Sequence, residues 1–359
     1  MIPTPDGPIT RYGELMSLMM KEILEQPQAL RATFRAERAH ALEFMKFARQ
    51  QNFRLVVLVA RGTSDNAARF ARYLTEITTG IPVSMAAPSV HTLYRTRMDY
   101  RQTLVVGISQ SGEGTDINLV LEAAKRQGGY TVGITNEKKS TMARLVDDVF
   151  LVHAGRQHSV AATKTYTGQL MIFYLLAAAL GTSISIESVS EIPDRVKETL
   201  KLIPELRELV ERYRYMNHCV VVGRGINYGN AFELSLKLME TCYVIAERFS
   251  AADFVHGPIA LIEQDFPAFV FMPPGKAFNN MRELTLRLRK LHAEVVAITG
   301  PNSNIKSATR VIRVPGEMSE IYSPIPYIVP GQIFAALLAE IKGLDPDKPR
   351  SLHIVTQTV

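Results

Sequence analysis

Short runs that are apolar at every position recur along this chain, and longer amphipathic stretches separate them. The runs include LVVLV at 55–59, LVVGI at 104–108, CVVVG at 219–223 and FVFM at 269–272. Such runs are typical of parallel strands that are covered on both faces, and the amphipathic stretches of about 15–20 residues predict crossover helices between them. The pattern therefore predicts an α/β fold with doubly wound parallel sheets.

The pattern also repeats within the chain. LVVLVARGTSDN at 55–66 and CVVVGRGINYG at 219–229 both pass from an apolar run through an Arg-Gly pair into a helical pattern, and Gly62 and Gly225 are 163 positions apart. The same offset relates Gly112 to Gly275, and VGIT at 132–135 lies within one position of the same offset from VAIT at 296–299. We therefore predict an internal duplication with one parallel sheet in each half.

The repeat sets the expected domain boundaries. We predict a helical amino-terminal segment at 1–49, a first domain at 50–190, a second domain at 205–342, and an extended tail at 343–359 that closes on the active site. Between the domains lies a charged linker in which Pro193 and Pro204 are expected to break helices.

Composition narrows the class of protein. The 359 residues are 47% apolar and 21% charged, which excludes disordered and fibrous chains. The net charge of +6 is scattered rather than gathered in a basic run, so it favours a small anionic ligand over a nucleic acid. Cys219 and Cys242 lack metal-ligand spacing, which predicts a reducing, cytoplasmic setting with neither disulfide nor metal.

Membrane insertion and secretion are not expected. The first residues lack the basic and apolar regions of a signal peptide. The apolar run at 170–180 is shorter than the roughly 20 residues that span a membrane, so it predicts a buried helix. Glycines 223, 225 and 229 have the wrong spacing for a dinucleotide fingerprint, and no GxxxxGK[ST] occurs, so we expect no nucleotide cofactor.

Two loops of the first half have the composition of a phosphate site. Ser109, Gln110 and Ser111 follow a predicted strand and precede a helical pattern, and Thr63 and Ser64 have the same setting one crossover earlier. Hydroxyl groups and open backbone N–H groups at a helix start favour an anion. The alternative is that these residues simply cap their helices.

A second-half helix carries the residues suited to proton transfer. Glu233, Lys237 and Glu240 are spaced i, i+4 and i+7 and so lie on one stripe. Spacing alone favours a solvent-exposed face with a Glu–Lys pair, whereas a functional interpretation makes a carboxylate base beside a cation. His256, in Val-His-Gly-Pro, is predicted on an exposed turn where it can exchange protons near neutral pH, or merely cap backbone groups.

Several ordered motifs together resemble one superfamily. They are MMKEILEQP at 19–27, ARGTS at 60–64, ISQSGE at 108–113, SVAATKTYTGQL at 159–170, HGPIALI at 256–262, IPYIVPGQ at 325–332 and PRSL at 349–352. The chain resembles the sugar isomerase (SIS) superfamily, in particular the double-SIS isomerase half of glutamine–fructose-6-phosphate amidotransferases and the related glucosamine-6-phosphate deaminases. The resemblance implies two flavodoxin-like SIS domains.

The resemblance also implies roles for individual residues. Those implied to hold the phosphate and hydroxyl groups of a hexose 6-phosphate, or to line its site, are Thr63, Ser64, Ser109, Gln110, Ser111, Val160 and Ala162. Glu240 matches the base that moves a proton between C1 and C2, with Lys237 and Glu233 beside it. His256 matches a histidine that assists ring opening in the neighbouring subunit, so a homodimer is implied.

Some positions depart from the family pattern. The motif KEIxEQP begins at Lys21 and residue 2 is isoleucine rather than a nucleophilic cysteine, so we expect no glutaminase domain. The tail position of the Schiff-base lysine is Ile354, flanked by His353. Gly114 replaces a threonine, for which Thr115 could substitute after a small shift, and Ala162 replaces a serine.

These departures favour an enzyme acting on a sugar phosphate that already contains nitrogen. The leading hypothesis is a deaminase and isomerase that converts glucosamine 6-phosphate to fructose 6-phosphate and ammonia. A deglycase of fructosyl-amino-acid 6-phosphates is the closest alternative, followed by a plain aldose–ketose isomerase. A non-catalytic sugar-phosphate sensor is the alternative from another class.

Overall fold

The computed structural model describes residues 16–181 and 183–352. Its strands are Leu55–Val59 (β1), Val83–Met85 (β2), Thr103–Ile108 (β3), Tyr130–Thr135 (β4), Asp148–Leu151 (β5), His218–Gly223 (β6), Ile245–Ser250 (β7), Pro267–Met272 (β8), Glu294–Thr299 (β9) and Arg310–Arg313 (β10). Its α-helices are Leu18–Gln51 (α1), Gly62–Thr79 (α2), Ser89–Thr92 (α3), Thr115–Arg126 (α4), Thr141–Leu145 (α5), Lys164–Leu180 (α6), Ile186–Thr199 (α7), Ile203–Val210 (α8), Tyr228–Cys242 (α9), Ala251–Phe254 (α10), Phe278–Lys290 (α11) and Pro324–Ile341 (α12).

The strands form two parallel sheets of the same topology. The first has the order β2-β1-β3-β4-β5 and the second the order β10-β9-β8-β6-β7. In each half the first strand pairs with the second and third, so the chain reverses its direction across the sheet at that point. Gly62 and Gly225 follow these first strands with φ of +54° and +58°. The predicted duplication of doubly wound α/β units is therefore confirmed.

Helix α1 spans the molecule and packs against α6, α7 and α12. Ser17 caps it, with its hydroxyl accepting a hydrogen bond from Met20 N. Pro27 lies inside the helix and cannot donate to the carbonyl of Ile23, but the side-chain amide of Gln26 donates to that carbonyl at 3.3 Å. The helix therefore continues through the proline to Gln51.

Two apolar helices form the centre of the core. The run at 170–180 lies in α6 and is buried, as predicted. Helix α12 is apolar enough and long enough to cross a membrane, but 89% of it is buried inside this protein. It packs against α7, α8 and α9, so its hydropathy is accounted for by burial between other helices.

The prediction that Pro193 breaks a helix within the linker is wrong. Pro193 lies inside α7, whose buried face includes Val189, Ile192 and Val196, and this apolar face holds the helix together across the proline. Pro204 lies in the first turn of α8, where its missing N–H group needs no helical partner.

The tail is non-helical over its described part, 343–352, and follows a series of turns. The carboxylate of Asp347 accepts hydrogen bonds from Leu18 N at 2.6 Å and Met19 N at 2.9 Å. The tail thus supplies partners for the open N–H groups at the start of α1. His353 and Ile354 lie outside the described residues.

Candidate active site

A cavity of about 360 Å³ opens at the carboxyl ends of β1 and β3. This is the point where the strand order of the first sheet reverses, which is where ligands bind in doubly wound folds. Its lining comprises Arg61, Gly62, Thr63, Ser64, Ile108, Ser109, Gln110, Ser111, Gly114, Asp116, Ile117, Gln157, Val160, Ala162, Thr165, Gln169, Glu240 and Leu352. The sugar-phosphate residues expected from the sequence are therefore gathered in one place, apart from Thr115.

The two hydroxyl loops owe their shape to glycines. Gly62 has φ of +54° and turns the chain from β1 into α2, so that Thr63 and Ser64 occupy the first helical turn. Gly112 has φ of +66°, and a Cβ atom there would lie 2.2 Å from the hydroxyl oxygen of Ser140. These loops bring the starts of α2 and α4, with their open N–H groups, to one side of the cavity.

Hydrogen bonds hold the serines of the second loop. Ser109 Oγ accepts a hydrogen bond from Gly112 N at 3.1 Å, and Ser111 Oγ accepts one from Glu113 N at 3.3 Å. Both hydroxyls therefore keep a proton that they can donate to an anion in the cavity.

A buried charge cluster on α9 reaches the cavity through Glu240. Lys237 Nζ lies 2.6 Å from Glu240 Oε2 and 3.6 Å from Glu233 Oε1. The side chains of Lys237 and Glu233 have no exposed surface, whereas that of Glu240 is 21% exposed. The expectation from spacing alone, a solvent-exposed face, is wrong because this face of α9 packs against α2 of the first half.

Contacts across the two halves fix this cluster. Lys237 Nζ donates to Thr63 Oγ1 at 3.2 Å, and Asn66 Nδ2 donates to Glu233 Oε2 at 2.9 Å. Thr63 and Asn66 belong to α2, so the carboxylates of the second half are positioned by the helix that also carries a hydroxyl loop. The candidate site is thus shared between the two halves.

Burial and charge act against each other in this cluster. Burial raises the pKa of Glu233 to about 7, although the charge of Lys237 and the hydrogen bond from Asn66 work to lower it. Burial would lower the pKa of Lys237, but the negative charges of Glu233 and Glu240 outweigh it and the pKa is raised. The lysine is therefore a permanent cation beside Glu240.

Four predicted residues do not line the cavity: Lys237 and Glu233 are buried behind Glu240, and Thr115 and His256 are exposed elsewhere. Thr115 is exposed in the first turn of α4, and Gly114 occupies the lining position before it, so the structure does not provide the small shift that Thr115 would need. His256 is exposed on the turn between α10 and Pro258, with its backbone N donating to Asp253 O at 3.1 Å. Its expected place is the site of a neighbouring subunit.

Sequence reasoning missed several lining residues. Arg61 Nε donates to the buried Asp116 Oδ2 at 2.7 Å and so ties the first loop to α4. Gln169 Nε2 donates to Ser64 Oγ at 2.9 Å, while its own carbonyl oxygen is buried and has no hydrogen-bond partner among the described residues. The Arg-Gly pair that marked the duplication was the one available signal for Arg61.

No metal centre is found within residues 16–181 and 183–352, where no group of three or more His, Cys, Asp or Glu residues is arranged to hold an ion.

The fold and the cavity define a double-domain sugar isomerase architecture, and comparison with known proteins agrees. The chain belongs to the SIS domain family, which matches residues 50–179 and 213–339. The isomerizing glutamine–fructose-6-phosphate aminotransferase of Pyrococcus horikoshii is 35% identical over 352 residues, which make up 95% of this chain and 57% of that protein. The chain therefore spans little more than half the length of this relative.

Solved structures agree with the family assignment. The carboxyl-terminal domain of glucosamine-fructose-6-phosphate aminotransferase from Francisella tularensis superposes with a TM-score of 0.83 at 27% identity, covering 95% of this chain and 100% of that one. Glucosamine-6-phosphate deaminase from Thermotoga maritima has the same fold, with a TM-score of 0.75 at 23% identity and coverage of 95% and 100%.

Proposed function

We propose that this chain is a sugar-phosphate enzyme that converts glucosamine 6-phosphate and water to fructose 6-phosphate and ammonia. The observation that carries the proposal is the position of Glu240. Its carboxylate reaches a cavity that also presents hydroxyl groups and helix starts, while the charge beside it is sealed from solvent. A carboxylate and a set of anion-binding groups thus line one cavity of about 360 Å³.

The hydroxyl loops are suited to the phosphate. Ser109, Gln110 and Ser111 lie before α4, and Thr63 and Ser64 begin α2. The open N–H groups and the dipoles of two helices favour negative charge there, and the hydroxyls add donors. Fixing the phosphate in this corner directs the far end of an open-chain sugar toward Glu240.

Glu240 is proposed as the general base. In the open-chain substrate, the C2 proton is next to the C1 aldehyde, and its removal by a carboxylate gives an enolamine. Return of the proton to C1 gives an imine at C2, which water hydrolyses to the ketone and ammonia. Lys237 positions this carboxylate through its 2.6 Å contact.

The substrate supplies the nitrogen in this reaction, so the sequence of steps needs no amine from the enzyme. His256 is proposed to assist ring opening in the site of a second copy, because the imidazole is exposed on a turn and has no place in the cavity of its own chain. The arrangement requires a homodimer.

The decisive experiment follows two signals with glucosamine 6-phosphate as substrate. Ammonia release reports deamination, and exchange of the C2 proton with deuterated solvent reports the first proton transfer. We expect both. Tight binding of the sugar phosphate without either signal would overturn the proposal and favour a sensor. Proton exchange with fructose 6-phosphate and glucose 6-phosphate, together with no ammonia release from glucosamine 6-phosphate, would favour a plain isomerase.

One observation favours a deglycase as the second candidate. A groove of about 530 Å³ adjoins the cavity, and Arg61 and Gly62 line both. Arg69 and Arg248 lie over the ring of Phe232 at 4.1 Å and 5.3 Å from its centre. The described lining of this groove has Arg61, Arg69 and Arg248 against one carboxylate, that of Asp65, which pairs with Arg69. The excess of positive charge is suited to a carboxylate carried on the substrate nitrogen.

Arg248 separates the two candidates because it lines the groove and not the cavity. If the chain is a deglycase, Arg248→Met raises KM for a fructosyl-amino-acid 6-phosphate and leaves proton exchange with glucosamine 6-phosphate unchanged. If the chain is a deaminase, the fructosyl compound is a poor substrate for the unaltered enzyme as well.

A further inference from the structure

The second half has a crevice in the same place as the candidate active site of the first half. It has a volume of about 770 Å³ and lies at the carboxyl ends of β6 and β8, with Tyr73 and Ile77 of α2 on one side. The order of the second sheet also reverses at β6, so this crevice lies at a second switch point.

The two crevices correspond at the arginine after the first strand and at the start of the helix after the third strand. Arg61 and Arg224, which follow β1 and β6, are separated by the same 163 positions as the duplicated glycines, and each lines its own crevice. The helices that follow the third strand of each half begin at Thr115 and Phe278, again 163 positions apart. The second half therefore retains the backbone framework of the proposed phosphate loop.

In the second half a carboxylate already occupies this framework. Glu320 accepts hydrogen bonds from the backbone N of Lys276 and, at 3.3 Å, from the backbone N of Ala277, immediately before α11. A Cβ atom on Gly275 would lie 2.3 Å from Glu320 Oε2, so the loop can approach the carboxylate this closely only as glycine. The carboxylate of Glu320 therefore occupies the place before α11 that a bound anion would take.

At the repeat offset of 163 positions, the residue that stands for Glu320 in the first half is a neutral glutamine with other hydrogen-bond partners. Gln157 lies 163 positions before Glu320, and its amide donates to Ser159 O at 3.1 Å and accepts from Thr165 Oγ1 at 2.6 Å. No hydrogen bond joins Gln157 to the Ser109–Ser111 loop among the described residues. The first loop is thus open to an external anion, whereas the second is filled from within.

We propose that Glu320 is an internal anion that fills the phosphate position of the second crevice and so confines sugar-phosphate binding to the first half. Glu320 is the one acidic residue among the described lining residues of this crevice, which also include Arg224 and Lys276. Without the carboxylate, two cations and two unpaired backbone N–H groups would face an empty loop, which favours phosphate.

The test counts the inorganic phosphate ions bound per molecule in the wild-type protein and in a variant that lacks Glu320. Crystals of the wild-type protein and of Glu320→Ala are soaked in phosphate, and calorimetry gives the number bound in solution. We expect the wild type to hold phosphate in the first crevice only, and Glu320→Ala to hold an additional phosphate on the backbone N of residues 276 and 277. Glu320→Ser provides a second small side chain should the alanine variant fail to fold.

Glu317→Ala is the matched control, because it removes one negative charge from a neighbouring exposed side chain that does not touch the loop. It is expected to bind no additional phosphate. Phosphate on the second loop of the wild type or of Glu317→Ala would overturn the proposal, as would an empty second loop in folded Glu320→Ala or Glu320→Ser at saturating phosphate.

The proposal takes the first-half loop as its reference, but the readout concerns the second crevice alone. An enzyme that releases no ammonia contradicts the proposed function and leaves the count at the second loop interpretable. The two failures are therefore distinguishable.

Discussion

The ammonium of Lys237 lies 2.6 Å from one carboxylate oxygen of Glu240 and has no exposed surface. Of the three charged groups on this stripe of α9, Glu240 alone is partly exposed and lines the cavity. We therefore expect Lys237 and Glu233 to act on a substrate through Glu240 rather than by contact. The expected effects of changing Glu240 and Lys237 follow from this difference in exposure.

Glu240→Gln is expected to abolish most of the proton transfer. The amide keeps the shape of the side chain but cannot accept the C2 proton, and general-base catalysis contributes about 10²- to 10⁴-fold in rate. The measurement is the rate of C2 proton exchange in deuterated solvent, with binding of the sugar phosphate measured in parallel.

The control for this variant is Glu205→Gln, which changes an exposed glutamate on α8 far from the cavity lining. Its exchange rate should equal that of the wild type. A Glu240→Gln enzyme that exchanges the proton at the wild-type rate would assign the base to another residue.

Lys237→Met is expected to destabilise the protein by about 3–5 kcal/mol, because removing one partner of a buried ion pair leaves uncompensated charge. Adding Glu233→Gln removes the fully buried carboxylate that the lysine had neutralised. The double variant should therefore recover part of the loss in the free energy of unfolding, measured by urea denaturation. Equal stability of the single and double variants would show that Glu233 becomes protonated once Lys237 is removed.

Ser111→Ala is expected to weaken binding of glucosamine 6-phosphate about tenfold or more, since a hydrogen bond to a charged group contributes about 1.5–3 kcal/mol. Ser190→Ala, which removes an exposed hydroxyl on α7, serves as the control. Calorimetric affinity that is unchanged in Ser111→Ala would remove this hydroxyl from the phosphate site.

Mixing two inactive variants tests whether His256 acts in the neighbouring subunit. A Glu240→Gln chain paired with a His256→Gln chain would form one intact site if His256 crosses the dimer, so random exchange should restore about a quarter of the wild-type activity. If His256 served its own chain, every mixed dimer would remain defective and the mixture would gain nothing.

Stability should depend on pH through His40, which joins α1 to β5. Its Nδ1 lies 3.0 Å from Glu37 Oε2 and its Nε2 lies 2.8 Å from Asp148 Oδ1. Hydrogen bonds to Asp148 and Glu37 raise the pKa of His40 to about 10, above its unfolded value near 6.5. The stabilisation is therefore fully present below about pH 6.5 and is lost as the pH rises toward 10.

His40→Gln reveals this contribution in thermal unfolding. The difference in Tm between wild type and variant should be largest near pH 6 and should shrink toward pH 10. His153 Nε2 also lies 2.7 Å from Glu37 Oε1. His153→Gln is therefore the companion variant, and its change in Tm reports what the contact of His153 with Glu37 contributes to stability. A difference in Tm that does not change with pH would assign the loss to packing against Phe150.

The sheets could be predicted because fully apolar runs and the Gly62–Gly225 repeat are local signals. The helical path through Pro193 could not, since it depends on buried partners of α7 that lie far away in sequence. The pairing of Arg61 with Asp116 was also missed. These residues are 55 positions apart and meet because β1 and β3 are neighbours in the sheet.

The charged stripe on α9 shows that sequence-based prediction has the same limit within the candidate site. The spacing of Glu233, Lys237 and Glu240 predicts that they share one face, but periodicity does not tell whether that face meets water or another helix. The packing of α9 against α2 decides the question, and it is set by how the two halves associate. Family motifs indicated the chemistry of these residues where their spacing did not.

Asp347 joins two distant parts of the described chain. Its carboxylate accepts hydrogen bonds from Leu18 N and Met19 N, which are 329 and 328 positions earlier, and Leu352 of the same tail lines the cavity. Asp347 and Leu352 are only five positions apart on one non-helical segment. The tail therefore couples the start of α1 to one wall of the cavity, and local opening of this segment would loosen both together.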